Sequence, residues 1–383
     1  MFNQLRRLDC LLGKLLCLPF FLSGAGSGKK TPSFPEGVKK IACIKLWGLG
    51  NLAIIYPLLY RIKERFPGAQ LIFITFAHNK GFLERNQAVD RVIYFECTSN
   101  IVAIARQFFR LLAALKQEGV DLVVNFETFN NISAFFSYLT RASGRIGLYT
   151  AKEKAFYNYP SYNEQALHIS RLFLGLLKPL GINSEYKYFR YHGSEGEAQN
   201  VESLLRSLGI KKFICLHPGT SSNFKGKRYR AGNFAKLTEL FMGAYGIPVL
   251  FTGAENESAL IEDIIRRLPR SGSVVNLAGK LTLWELVELL KKTRLFISSD
   301  TGPVHIAASL GVNLAVFYGP TSPRRYGPLN ENSRVFYKHM GCSPCVGAAY
   351  VHKRCRNGFA CLDFSPQEAF AGISEKFFHA EKN

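Results

Sequence analysis

The sequence predicts an α/β protein made of two doubly wound parallel sheets, each covered by helices on both faces. Three observations predict it. Short apolar, strand-like runs alternate with helical stretches from Lys39 to about residue 148, the pattern of a parallel sheet with crossover helices. The alternation lapses into a charge-bearing helical stretch and restarts at Lys212. At 383 residues the chain exceeds one ordinary core, so two domains are expected.

The elements follow in order. Residues 41–46 read as a first buried strand and 52–65 as a helix closed by Pro67-Gly68. Strands are expected at 71–75, 91–95, 121–125 and 145–148, with helices at 101–116 and 135–142. A helical segment is expected over 165–208, broken at Pro179 and Gly181. In the second half, strands are expected at 212–216, 248–252, 273–276, 294–298 and 313–317, each separated by a helix, the first at 233–245. The boundaries are an amino-terminal helix and linker at 1–37, one domain at 38–185 and a second at 186–383. In open parallel sheets ligands sit outside the carboxyl ends of the strands, which is where functional residues are to be sought.

Composition narrows the function. The chain is 47% hydrophobic and no apolar run reaches the roughly 18 residues that span a bilayer. A formal charge of +21 favours polyanionic partners. No zinc-finger spacing, RNP motif or recognition-helix pattern accompanies it, so nucleic acid is not the expected partner. In residues 1–30, Leu5, Leu8, Leu12, Leu15 and Leu16 recur at helical spacing with Arg6, Arg7, Asp9 and Lys14 between them. This reads as an amphipathic helix lying on a membrane surface or on the protein itself, with a cleaved signal as the alternative. Of nine cysteines, Cys10, Cys17, Cys43, Cys97 and Cys215 sit singly among apolar residues, which argues for a reducing compartment. Cys342, Cys345, Cys355 and Cys361 form C-x2-C-x9-C-x5-C. Four thiolates this close suit structural zinc or an iron–sulfur cluster; unligated packed thiols and disulfides are the alternatives.

Three motifs carry chemistry. In FISSDTGPVHIAAS a buried strand stops at Asp300-Thr301-Gly302-Pro303, where Thr301 and Pro303 open a helix. A helix start presents unpaired N–H groups and roughly half a positive charge, and so attracts phosphate. His305 lies one turn inside that helix, as a packing residue or a phosphate contact. HPGTSS ends another strand, and Lys225, Lys227, Arg228 and Arg230 follow it, either as a solvated basic loop or as a phosphate clamp. GLGNLA, residues 48–53, fits a dinucleotide fingerprint. The second strand, however, runs into Phe76-Ala77-His78 without the acid that holds a ribose, which argues against a nicotinamide or flavin enzyme.

HPGTSS…KGKRYRAGNFAKL, VVNLAGKLTLWELVELL, ISSDTGPVHIAASLGV and VFYGPTSPRRYGP together resemble the successive motifs of glycosyltransferase family 9, the lipopolysaccharide heptosyltransferases. IKLWGLGNLAIIYPLLYRIKERFPGAQLIFIT resembles that family's amino-terminal motif. The similarity spans nearly the whole chain from Lys39. It implies the GT-B fold, two Rossmann-like domains facing a central cleft, and inverting transfer from a nucleotide-sugar, with ADP-heptose the expected donor and no metal at the reaction centre. It implies a lipid-linked glycan acceptor, and hence a place on the cytoplasmic face of the inner membrane against anionic lipid. By resemblance, Asp300, Thr301 and Gly302 receive the diphosphate and its sugar, with His305 nearby. Thr220, Ser221 and Lys227 meet the phosphates from the other side, and Leu277, Ala278 and Gly279 border the nucleoside. Gly48 and Gly50 belong to the acceptor side.

One position departs from the family. Where heptosyltransferases commonly have Gly-Asp, this chain has Gly50-Asn51. An amide cannot take the acceptor's proton, although it can orient a hydroxyl. The substitute base expected from the sequence is Glu127, just past the strand at 121–125; a surface loop glutamate is the alternative. Asn51 also admits a rival reading, a non-catalytic sugar-nucleotide-binding scaffold.

Overall fold

The computed structural model describes residue 34 and residues 36–378, apart from 97, 99, 129–130, 151, 270–273 and 346–354. The expected amino-terminal helix therefore lies outside the described residues. The chain divides into two compact units, one ending at Tyr188 and the other starting at Phe189.

The first unit carries a six-stranded sheet: β1 (Lys40–Ile44), β2 (Gln70–Phe76), β3 (Arg91–Phe95), β4 (Leu122–Asn125), β5 (Gly144–Tyr149) and β6 (Tyr159–Tyr162). Their order is β3-β2-β1-β4-β5-β6, and all pairs are parallel. KIACI and LVVN are buried almost throughout because both sheet faces are covered. Ile41 pairs with both Leu71 and Leu122, which fixes β1 at the centre.

The second unit repeats the plan with β7 (Ile214–His217), β8 (Val249–Phe251), β9 (Val274–Asn276), β10 (Leu295–Ser299), β11 (Leu314–Tyr318) and β12 (Ser333–Tyr337). The order β12-β11-β10-β7-β8-β9 is the same winding read from the other edge. Its core is aromatic: Tyr229 stacks on Phe317 at 4.0 Å, and Phe317 on Phe336 at 4.9 Å. The Tyr229 hydroxyl donates to the Phe364 carbonyl and so keeps a buried polar group satisfied.

In each sheet the winding reverses between the first and fourth strands, β1/β4 and β7/β10. Loops leave such a point in opposite directions and open a crevice at the carboxyl ends. The expected helix at 52–65 begins earlier, at Leu49, because Gly48 adopts φ 89° and turns the chain directly out of β1. The edge strands β6 and β12 were not expected. YPSY carries Pro160, which only an edge tolerates, and SRVFY is half exposed and begins with polar residues. The helical stretch expected over 165–208 is helical only at Ile169–Gly175, a 3-10 turn at Lys178–Leu180, and Glu195–Ser207. Between them, 182–194 has no helix, and a capping box of Ser194 with Glu197 starts the last piece.

Candidate functional site

In the second unit the crevice between β7 and β10 gathers the strongest cluster. Asp300 follows β10, and its carboxylate accepts from Lys227 Nζ at 2.7 Å and from Thr321 Oγ1 at 2.6 Å. Burial alone pushes this carboxyl up, but Lys227, Thr321 and His305 outweigh it and hold Asp300 below the usual carboxylate range. Lys227 also lies 4.8 Å from the ring of Phe224, which holds its stem in place. Thr301 is the N-cap of the helix Gly302–Ser309, with no side-chain cap bond, and Pro303 occupies the first turn. The first N–H groups of that helix therefore lie beside a lysine and a carboxylate. His305 is buried in this helix, close enough to act on Asp300.

The loop after β7 is fixed from within. Thr220 is buried; its hydroxyl donates to the Phe224 carbonyl at 3.1 Å and accepts from Arg228 Nε at 3.1 Å. Arg228 also reaches the Thr220 carbonyl at 2.9 Å. Thr220 thus shapes the turn that presents Lys227, whereas Ser221 is exposed. Leu277 and Ala278 are buried just past β9. Gly279, at φ 71°, bonds to the Gly253 carbonyl and lies so close to Glu255 that a Cβ would meet its backbone at 3.0 Å. The expected donor residues of this unit therefore lie in the loops that follow β7, β9 and β10.

Thr321, which the sequence places at the end of the strand expected at 313–317 as part of a cleft floor, is brought to Asp300 by the pairing of β11 with β10. One participant escaped the sequence reading. Glu257 is buried against the same loop: a Cβ on Gly219 would fall 2.1 Å from its Oε1. Burial raises the Glu257 carboxyl, against opposing N–H donors and Arg228, and drives His217 down to about 4, helped by Arg228. At neutral pH the 3.9 Å approach of His217 to Glu257 is accordingly a contact with a neutral imidazole. His217 Nδ1 lies 3.2 Å from Thr252 Oγ1.

In the first unit the crevice between β1 and β4 holds Glu127. This residue is buried, not a surface loop glutamate. Its Oε2 accepts from Lys45 Nζ at 2.8 Å, and its Oε1 from the backbone N–H groups of Leu46 and Trp47. Those are the residues that lead into Gly48. Asn79 supports the same turn, with Nδ2 at 3.0 Å from the Leu46 carbonyl. Gly50 and Asn51 occupy the first turn of the helix Leu49–Arg65, and a Cβ on Gly48 would meet Asn51 Nδ2 at 3.4 Å.

The four late cysteines share one neighbourhood, since Cys345 and Cys355 both act on the Cys361 thiol. Burial first, then these thiols, raises Cys361 to about 11. Asn357 Nδ2 lies 3.3 Å from Cys342 Sγ, and the Phe359 N–H 3.3 Å from Cys355 Sγ. Among the described residues no group of three or more His, Cys, Asp or Glu is disposed to hold a metal. The expected zinc or iron–sulfur site is thus not supported by the thiol geometry, and the whole of its longest spacer, 346–354, lies outside the described residues. The six described cysteines are free thiols.

Two sheets with the same 3-2-1-4-5-6 winding, one bearing a lysine–aspartate pair at a helix start, define a doubly wound α/β protein of two units. A profile of glycosyltransferase family 9 (heptosyltransferase) matches residues 108–355, and the chain belongs to that family of glycosyltransferases. Lipooligosaccharide heptosyltransferase 2 of Campylobacter jejuni is 26% identical over 302 residues, covering 78% of this chain and 86% of that protein. A family 9 glycosyltransferase from Veillonella parvula superposes with a TM-score of 0.75 at 18% identity, over 90% of this chain and 99% of the other. The E. coli ADP-heptose lps heptosyltransferase II does so at 0.70 and 19% identity, with the same coverage. The fold is GT-B.

Proposed function

We propose that the chain is an inverting, metal-independent glycosyltransferase that moves heptose from ADP-heptose to a lipopolysaccharide core or related lipid-linked glycan. The observation that carries this is the Lys227–Asp300 pair, 2.7 Å apart, at the start of the helix Gly302–Ser309. When the sugar–phosphate bond breaks, its electron pair passes to the diphosphate. Lys227 and the N–H groups of the helix start neutralise that charge as it forms. A fixed ammonium and a helix terminus supply the electrophilic help that other transferases draw from a divalent cation. The acceptor oxygen bonds the anomeric carbon from the opposite face as the phosphate leaves, which inverts the centre. Asp300 holds Lys227 in register and offers its carboxylate to the sugar or phosphate as an acceptor of hydrogen bonds. Thr301, Gly302 and His305 line the same turn, Thr220 and Ser221 the facing loop, and Leu277, Ala278 and Gly279 the nucleoside end. Heptose as the sugar draws support from the Campylobacter heptosyltransferase, and ADP-heptose as the donor from the E. coli ADP-heptose lps heptosyltransferase II.

The acceptor's proton must leave as the bond forms. Glu127 is the proposed base, with Asn51 orienting the acceptor and Gly48 and Gly50 allowing it close to the backbone. Glu127 Oε1 already accepts from the Leu46 and Trp47 amides, so the proton would fall on the lone pair of Oε2 that Lys45 leaves open. The amide at Asn51 favours a second reading, a scaffold that binds the nucleotide-sugar without transfer. Incubation with ADP-heptose and a core acceptor in excess chelator tests both. Product of opposite anomeric configuration supports the enzyme. Tight donor binding with neither transfer nor hydrolysis supports the scaffold. Turnover only with another nucleotide-sugar, or only with added divalent cation, overturns the donor or the metal independence.

A further inference from the structure

Beyond the transfer reaction, we propose that the outward face of the helix Ile101–Glu118 is a docking surface for an anionic lipid bilayer. Five large hydrophobic residues are exposed among the described residues, and two of them, Val102 and Phe109, lie on this helix at 62% exposure each. At about 100° per residue, Val102, Phe109 and Ala113 fall within about 40° of one another, as one stripe along the helix. Ala105, also exposed, widens it. Phe109 is not turned outward by a crowded interior: Phe108 beside it covers the core, edge to face with Phe136 at 5.0 Å.

Cations flank the stripe. Arg106 and Arg110, one turn apart and both exposed, run along one side, and exposed Lys116 stands at the end. The helix has one acidic residue, Glu118, which is taken by Arg91 at 2.6 Å. Neither Arg106 nor Arg110 has an acidic partner among the described residues. The groove between this helix and the edge strand β3, of about 380 Å³, continues the pattern, with Ile93, Phe95, Leu111 and Ala114 in its lining and Arg110 and the paired Arg91 and Glu118 at its polar margin.

An apolar stripe edged by unpaired arginines suits the boundary between acyl chains and anionic headgroups. The ring enters the boundary while the long cations reach back to phosphate. A protein partner would match the stripe equally but would leave the arginines' charge to a partner of special design. A chain of net charge +21 meets that charge on any anionic leaflet. Among the described residues no helix is long and apolar enough to cross a membrane, so this is contact with a surface.

The test uses the full chain without nucleotide, which keeps it independent of the donor assignment, and vesicles of phosphatidylcholine with or without phosphatidylglycerol. Phe109→Ser should weaken partitioning onto the anionic vesicles on the order of tenfold, and Arg106→Gln with Arg110→Gln by at least as much. Phe109→Trp should be quenched by brominated acyl chains beyond the wild-type signal. An unchanged circular dichroism spectrum and melting temperature certify that each variant is folded. Partitioning within twofold of wild type for either variant, or an unquenched Trp at 109, overturns the proposal. So does unchanged partitioning with Phe109→Ser converting an oligomer to a monomer, which would assign the face to a second copy of the chain.

Discussion

At the scale of single residues, two titratable side chains beside the loop after β7 make separate predictions, Lys227 and His217. Lys227 meets phosphate and not base in the proposed site, so Lys227→Ala should weaken a nucleoside diphosphate by about 2 kcal/mol, roughly 30-fold, and the nucleoside hardly at all. Calorimetric titration of ADP and adenosine against both proteins checks this; equal losses would place the phosphates elsewhere. His217 makes a prediction about pH. Burial lowers it to about 4 from an ordinary 6.5, so between those values the unfolded chain binds the proton and the folded chain does not. Stability from this residue is therefore complete above about pH 6.5 and lost as pH falls to about 4, by about 3 kcal/mol at most. Glu257, raised by burial, acts in the opposite sense, because its folded carboxyl keeps a proton that the unfolded one releases, and this masks part of the loss. His217→Gln should flatten the acid limb of the denaturation free energy measured from pH 7 to 4.5. Parallel curves for the two proteins would show that His217 does not titrate as its burial implies.

At the scale of elements, the central strands were legible because they are apolar runs closed by glycine, proline or aspartate. Of the four edge strands, β3 and β9 were legible as apolar runs, whereas β6 and β12 were not, since an edge has one neighbour and tolerates Pro160 or a polar start. The DTGP turn was legible from its own helix-opening residues. Glu257 was not, and Thr321 was legible as the end of its strand but not as a partner of Asp300, because both join the site through strand pairing that no local pattern encodes. Glu127 shows the same limit: its place past β4 could be read, but its bond to Lys45, 82 positions away, could not. That bond makes the carboxylate an anchor of the turn from β1 into the helix Leu49–Arg65 as well as the proposed base, and the two roles can be separated. Glu127→Gln should abolish transfer while nucleotide binding survives, and leaving Lys45 buried without its partner should cost about 3–5 kcal/mol of stability. Adding Lys45→Met to Glu127→Gln removes the stranded charge and should restore much of the melting temperature. If transfer returns with it, Glu127 acts by holding the turn; if transfer stays absent in a restored fold, the carboxylate takes the proton. Normal turnover by Glu127→Gln alone would sink both roles and move the balance toward another base.

At the scale of the whole molecule, each unit has its own parallel sheet and its own core, and the proposed nucleotide contacts all fall in the second. A ligand held by one unit stabilises that unit by mass action, by about 2.7 kcal/mol at 100 times its dissociation constant. Amides that exchange only by opening of the second sheet should therefore slow by up to roughly 100-fold with ADP at that level. The strands β7, β10 and β11 should respond most, because Thr220 and Lys227 follow the first of them, Asp300 the second and Thr321 the third. The central strands β1 and β4 of the first unit should be far less protected, since Glu127 and Lys45 satisfy each other there without ligand. Hydrogen exchange on the intact chain, read by mass spectrometry with and without ADP, distinguishes the two sheets in one experiment. Equal protection in β1 and β4 would mean that the nucleotide is not confined to the second unit, and the assignment of Lys227 and Asp300 as its principal anchors would have to be given up.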